Sequence, residues 1–356
     1  MVDKLCVFAF SYSPNRKAML DYFEKIFPKE TEIFFFTTKQ HKNNYNLKRI
    51  KVVDTNCSRF GAFFELRKFC KKNKIQRIIN LGLLPYEGFV MAYSTLFTKT
   101  DFVCFHLGYP LGAIKEGSLK NRIIGLFEAL LSYLFAIFPK KIIFCSEDLY
   151  DFCKKNLPFI RKKIFFLSPT IPTDFFIPEN KEKARKKLNL NQKDKIIIYV
   201  GRIGYFKGSD ILVKLAEKNP DKKFILVGGL IDKKFKNYKL PNLILLPQKK
   251  PQELKDYYNA ADVCLFPSRI ESFGLVPREA MSCGIPAIVS DIPAFKNLEF
   301  AIRVPLDVKK MNSALNDFFN LSKKEKKKLS VNSRKFILKS YNEKYWKDKY
   351  INKIIN

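Results

Sequence analysis

Short runs rich in Ile, Val and Phe alternate with longer stretches of helical spacing along nearly the whole chain. Runs that are apolar throughout, rather than every second residue, belong to strands buried on both faces, so the rhythm predicts an α/β fold with parallel sheets covered by helices. In the first half it predicts strands over Leu5 to Phe10, Glu32 to Phe36, Ile50 to Val53, Arg77 to Leu81, Phe102 to Phe105 and Ile142 to Cys145. In the second half it predicts them over Ile196 to Val200, Phe224 to Val227, Leu243 to Leu246, Val263 to Phe266, Ala287 to Ser290 and Ile302 to Val304. Each half is expected to build its own open sheet. Between the halves "SPTIPTDFFIPENKEKARKKLNLNQKDK" passes from prolines to mixed charge, which reads as a linker followed by a short exposed helix. The expected organisation is one domain over residues 1–172, a linker over 173–192, a second domain over 193–335, and a C-terminal helix over 336–356.

Ligands of open α/β sheets sit beyond the carboxyl ends of the strands, so chemistry is sought where strands give way to loops. "YVGRIGYFKGSD" leaves the strand ending at Val200 and enters a helix after Gly208, which places Arg202 and Lys207 on the connection. "FPSRIESFGLVPREAMSCGIP" leaves the strand ending at Phe266. Gly274 loosens the chain behind an exposed-looking Phe273, and Pro277 is tolerated only in a first helical turn. The helix is therefore expected to start near Phe273 to Leu275. It is expected to stop at Cys283, where Gly284 takes the left-handed cap and Pro286 forbids continuation. The free N–H groups of its first turn form a ready anion site, with Glu271 before it and Glu279 inside it. Two cations and a helix terminus suit a diphosphate, and two carboxylates suit the hydroxyls of a sugar. The helix N-terminus is expected to keep a nearby Glu ionised.

The 66 basic and 34 acidic residues leave a net charge of +32. Such an excess favours an anionic partner: a phosphorylated substrate, a nucleic acid or an acidic membrane surface. The eight cysteines include no CxxC pair and several lie in apolar strands, so they read as buried thiols of a reducing compartment. No D-x-D occurs, and neither a metal nor another cofactor is expected. The chain opens without a signal-peptide pattern, which predicts a cytoplasmic location. The apolar stretch Ile123 to Phe138 is too short to span a bilayer and contains Glu128. It reads as a core helix or, flanked by Arg122, Lys140 and Lys141, as a docking element on the inner face of an acidic membrane.

"GRIGYFKG", "LFPSRIESFGLVPREAMSCGIPAIVSD" and the terminal helices resemble the retaining GT-B glycosyltransferases of family 4, the group with the E-x7-E motif. The resemblance is strongest from Ile196 to Asp291 and in the first half is mainly one of layout. It implies two Rossmann-like domains facing across a cleft, a C-terminal helix over 336–356 that crosses back to the first domain, and transfer of a sugar from a nucleotide diphosphate to a hydroxyl acceptor. A lipid-linked or surface-glycan precursor is the expected acceptor. It also implies that Arg202 and Lys207 hold the donor diphosphate with the backbone of Phe273, Gly274 and Leu275, that Glu279 binds the ribose, and that Glu271 contacts the transferred sugar. "FHLGY" resembles the strand-end histidine of the acceptor domain and marks His106, whereas His41 lies in a polar stretch. In place of the family's glycine-rich loop after the first strand stands "SYSPNRK", where Ser13 and Pro14 form an N-cap and first helical position. Pro247 and Gln248 follow a strand and are candidates to line the base. The alternatives are a basic nucleic-acid-binding protein and a glycoside hydrolase using Glu271 and Glu279 as its carboxylate pair.

Overall fold

The computed structural model describes residues 2–9, 14–38, 47–55, 57–58, 60–81, 85–106, 123, 136–230, 232, 235 and 238–355. Its chain falls into two units, Met1–Ser168 with Trp346–Asn356, and Pro169–Tyr345.

The first unit holds a seven-stranded sheet of β1 (Lys4–Ala9), β2 (Glu32–Thr38), β3 (Lys51–Thr55), β4 (Arg77–Asn80), β5 (Asp101–His106), β6 (Lys141–Phe144) and β7 (Ile164–Phe166), in the order β3-β2-β1-β4-β5-β6-β7. The pairs described are parallel. The strand β7, three residues in "KKIFF", is too short to announce itself by pattern. Alternate residues serve opposite faces. Leu5, Val7, Val103, Phe105 and Ile143 pack with Leu20 and Phe23 of α1 (Pro14–Ile26) on one side. Cys6, Phe8, Ile78 and Cys104 pack on the other with Phe63 and Leu66 of α2 (Ala62–Asn73) and Val90 and Met91 of α3 (Pro85–Thr95). The helix α4 (Glu147–Asn156) lays Leu149 and Cys153 on Ile142 and Phe144.

The second unit opens with residues expected to form a linker, yet Ile171 and Phe176 are buried in its core. The helix α5 (Lys181–Lys187) is short and mostly exposed, as expected, but buries Ala184 and Arg185. The Arg185 guanidinium donates to the carbonyls of Ala260 at 2.9 Å and Gln192 at 2.6 Å and to the Asp262 carboxylate at 3.0 Å, so one planar fork outweighs the solvated character of the lysines around it. The sheet that follows has the order β10-β9-β8-β11-β12-β13. Its strands are β8 (Lys195–Val200), β9 (Lys222–Val227), β10 (Leu243–Leu246), β11 (Val263–Phe266), β12 (Ala287–Ser290) and β13 (Ile302–Val304). They are covered by α6 (Ser209–Lys218), α7 (Pro251–Ala260), α8 (Leu275–Ser282), α9 (Val308–Asn320) and α10 (Lys323–Ser340). The order reverses between β8 and β11, the switch point at which such sheets bind ligands.

The helix α11 (Glu343–Ile354) sends Tyr350 and Ile354 into the core of the first unit. There the buried Arg77 grips the Asp101 carboxylate at 2.5 and 2.9 Å and also donates to the Ile354 carbonyl. Among the described residues no helix is long and apolar enough to cross a membrane. Most of the stretch Ile123 to Phe138 lies outside the described residues, as do His41 and Ser13. Of its flanking cations, Lys140 is paired with Asp101 at 2.9 Å. Lys141 is half-buried, its pKa lowered by burial and by the nearby Arg77 and Lys353. All eight cysteines are free, and all but Cys57 are buried.

Candidate active site

Two loops at the carboxyl ends of β8 and β11 meet beside the start of α8. The first leaves Val200, is tied by the Gly201 N–H to the Val227 carbonyl at 2.9 Å, and makes a single 3-10 turn over Tyr205–Lys207. It enters α6 through Gly208, whose φ of 72° and close approach to Pro267 exclude any side chain: a Cβ would lie 1.8 Å from the Pro267 carbonyl oxygen. The Ser209 hydroxyl then accepts from the Gly204 N–H at 2.9 Å.

The second loop is bonded to the first along its length. The Arg269 N–H donates to the Phe206 carbonyl at 3.0 Å, and the Ser268 hydroxyl reaches the same carbonyl at 3.3 Å. The Arg269 side chain lies 3.8 Å over the Tyr205 ring, donates to the Tyr205 carbonyl at 2.6 Å and grips Asp210 through two bonds of 2.7 and 2.8 Å. Burial alone would raise the Asp210 carboxyl, but the Arg269 hydrogen bonds and charge hold it below its ordinary value. On this scaffold the Lys207 ammonium reaches the Ile270 carbonyl at 3.2 Å and forms an ion pair with Glu271. Arg202, by contrast, is exposed and its guanidinium makes no hydrogen bond or ion pair among the described residues.

The helix α8 begins after Gly274, at φ 78°, and ends at Cys283 with Gly284 at φ 76°. The N–H groups of Phe273, Gly274 and Leu275 at its terminus donate to no described residue. Phe273, expected to be exposed, is buried instead, because Arg278 stacks on its ring at 3.8 Å and Tyr341 packs against it at 5.4 Å. Arg278 also donates to the carbonyls of Phe273 and Gly274, the latter at 3.0 Å, and so fixes the turn from inside the helix.

Glu279 sits one turn further along and accepts a hydrogen bond from the Tyr258 hydroxyl at 2.7 Å. Its pKa corrects the expectation that the helix terminus keeps it ionised. Burial pushes the carboxyl up to about 7, and the Tyr258 hydroxyl only partly opposes that. Loss of water at the carboxylate outweighs a dipole that is felt mainly within the first turn.

The structure thus joins Lys207 and Glu271, places Phe273, Gly274 and Leu275 at the helix terminus, and gives Glu279 a separate partner. His106 is the last residue of β5 in the first unit, and its side chain lies outside the described residues. Pro247 and Gln248 follow β10 and are exposed. Sequence reasoning missed Tyr258, Arg269, Asp210 and Arg278. Arg269 was in reach, since it stands in the same strand-end loop as Glu271; the Tyr258 contact bridges 21 positions and leaves no local signal. Among the described residues no group of His, Cys, Asp or Glu is placed to hold a metal ion.

The family model for glycosyl transferases group 1 matches residues 180–336. A D-inositol 3-phosphate glycosyltransferase of Mycobacteroides abscessus is 32% identical over 141 residues, covering 36% of this chain and 32% of that relative. The namesake enzyme of Mycolicibacterium smegmatis is 32% identical over 143 residues, 37% of this chain and 33% of that relative. The chain thus spans about a third of the length of the curated relatives it matches. Among solved structures, sucrose-phosphate synthase from Thermosynechococcus elongatus superposes with a TM-score of 0.81 at 19% identity, over 98% of this chain and 97% of that one. HepE of Anabaena, solved with UDP and glucose, gives 0.77 at 15% identity, over 99% of both chains. The group 1 glycosyltransferase model thus lies over the unit that carries the two joined loops, and the solved neighbours share the GT-B fold over nearly the whole chain.

Proposed function

We propose that the chain is a retaining glycosyltransferase that moves a sugar from a nucleotide-diphosphate donor to a hydroxyl acceptor. The observation that carries this reading is the meeting of Lys207 with Glu271 beside a helix terminus whose Phe273, Gly274 and Leu275 N–H groups donate to no described residue. Negative charge grows on the leaving diphosphate as the glycosidic bond breaks, and donors already in place lower the barrier most there. Lys207, the exposed Arg202 and the helix terminus are assigned to that charge. Glu271 holds Lys207 until the diphosphate arrives and then accepts from hydroxyls of the sugar. Glu279 accepts from the ribose hydroxyls, with Tyr258 orienting the carboxylate. His106 is assigned to turnover from the first unit. No cofactor enters this scheme.

The acceptor proposed is a lipid-linked or surface-glycan precursor, handled in the cytoplasm by a protein peripheral to the membrane. Its support is the charge of +32 and a relative whose name gives a phosphorylated acceptor. The glycoside hydrolase alternative loses ground, because Glu271 is bound by Lys207 and Glu279 by Tyr258, an arrangement with no purpose for a carboxylate pair acting on one bond. The match to the glycosyl transferase group 1 model and the relatives of that kind disfavour a nucleic-acid-binding protein.

The test is titration calorimetry with nucleoside diphosphates and their sugars, followed by NMR of the product's anomeric configuration. Arg202→Ala and Lys207→Ala are expected each to weaken diphosphate binding by about 1.5 to 3 kcal/mol. Glu279→Gln should weaken binding of the bare nucleotide, while Glu271→Gln should chiefly slow turnover. Wild-type diphosphate affinity in both cation variants would overturn the phosphate assignment, and an inverted product would overturn retention.

A further inference from the structure

The register of the first sheet places three helices on one side. Cys104 lies in the core beneath α2 and α3, and its neighbour across the ladder is Ile142, which with Phe144 forms the core beneath α4. The outer surfaces of α2, α3 and α4 are therefore parts of one helical layer, while α1 and α11 cover the opposite face.

That layer exposes aromatic rings well beyond the scattering usual on a soluble surface. Phe60, Phe64 and Phe89 are 68, 55 and 50% exposed and belong to one ring cluster: Phe60 to Phe64 at 6.3 Å, and Phe63, which also meets Phe60, to Phe89 at 5.2 Å. Phe97 follows α3 at φ 55°, a backbone region that costs a bulky side chain, and is 92% exposed. On α4 and the turn after it, Phe152 and Phe159 are 52 and 45% exposed. The Arg161 guanidinium donates to the Lys154 carbonyl at 2.9 Å and holds that turn against the helix.

Cations are interleaved with the rings. Lys68 and Lys71 stand one and two turns beyond Phe64 on the same face of α2, and Lys154, Lys155 and Lys162 are exposed around Phe152 and Phe159. We propose that this layer is a docking surface for an anionic phospholipid bilayer. Apolar rings enter the boundary between headgroups and acyl chains, and lysines meet the negative headgroups, each adding roughly 1 kcal/mol. Charge complementarity selects the occupant: an apolar protein partner has no use for lysines set among the rings, and a second copy of a chain at +32 would be repelled. The inference deepens the lipid-linked acceptor reading and rests on it for its purpose.

The experiment is co-flotation of the full chain with phosphatidylcholine vesicles, with and without phosphatidylglycerol, at low and physiological salt. The variants are Phe64→Ser with Phe97→Gly, the latter at a φ that glycine accepts without strain, and Lys154→Glu with Lys155→Glu. Diphosphate binding is measured on each preparation. Expected are flotation only with phosphatidylglycerol, weakening with salt, and a loss of about tenfold or more in each double variant, with diphosphate binding unchanged. Wild type absent from the vesicle fraction at low salt overturns the inference. So does a phenylalanine variant that floats like wild type, or one whose only change is loss of a dimer seen by light scattering. Loss of diphosphate binding in wild type with flotation intact would instead sink the transferase reading and leave the docking surface standing.

Discussion

The Tyr258 hydroxyl donates to Glu279 at 2.7 Å from a side chain that is itself fully buried, and burial still leaves the Glu279 carboxyl titrating near 7. A carboxyl raised above its unfolded value contributes fully to stability while both states are protonated, and that contribution is lost as pH rises from the unfolded value of 4.5 through about 7. Thermal melts of wild type are expected to fall across that window, by up to about 3 kcal/mol, and those of Glu279→Gln to stay level. Parallel pH profiles for the two proteins would refute the assignment.

A ligand whose hydroxyls donate to Glu279 favours the ionised carboxylate. Nucleotide binding should therefore tighten as pH rises through about 7 and release a proton below it. Calorimetry in buffers of different ionisation enthalpy reads that proton directly. Tyr258→Phe removes the one hydrogen bond that lowers the pKa, and should move the release to higher pH.

Lys207 and Glu271 are each other's partners, so their single substitutions are not independent. Lys207→Ala leaves a carboxylate unpaired at the anion site, and Glu271→Gln frees the ammonium for phosphate. In a double-mutant cycle on diphosphate binding the combined loss should differ from the sum by roughly 0.5 to 3 kcal/mol. Strict additivity would show that the ion pair does not bear on the ligand.

Two glycines at strand ends around the site tolerate little substitution. An alanine Cβ at Gly208 would lie 1.8 Å from the Pro267 carbonyl oxygen, and one at Gly228 would lie 1.8 Å from that of Gly201. Both residues also have positive φ, so each Gly→Ala change should cost roughly 3 kcal/mol or more by denaturant titration. Gly229, with nothing within 4 Å, is the control, and Gly229→Ala should be nearly silent.

Where the sequence was read well, the signal was local. The strand Val263–Phe266 is a four-residue apolar run closed by proline, and α8 carries its own start and stop in Gly274, Pro277 and Gly284. The loop and first turn of α8 were legible for the same reason, being contiguous in the chain. What escaped depends on distant partners. Arg185 looks like one more solvated cation in "KEKARKK" until Asp262 and two carbonyls close around it, and Phe273 looks exposed beside glycine until Arg278 and Tyr341 cover it. Glu279 sits near a helix terminus, where a dipole argument favours charge, but only the packed structure reveals how little water remains at its carboxyl.

The chain order of the first unit has a consequence for its birth on the ribosome. Tyr350 and Ile354, both fully buried, complete the core that Leu20 and Phe23 began, and Arg77 closes on the Ile354 carbonyl. The second unit has all its residues once Tyr345 is made, whereas Val103, Phe105 and Ile143 of the first, packed by then against Leu20 and Phe23, wait for Tyr350 and Ile354 to complete their cover. The part synthesised first is thus the last to finish folding, and during that interval its greasiest sheet face is the surface a chaperone would be expected to shield.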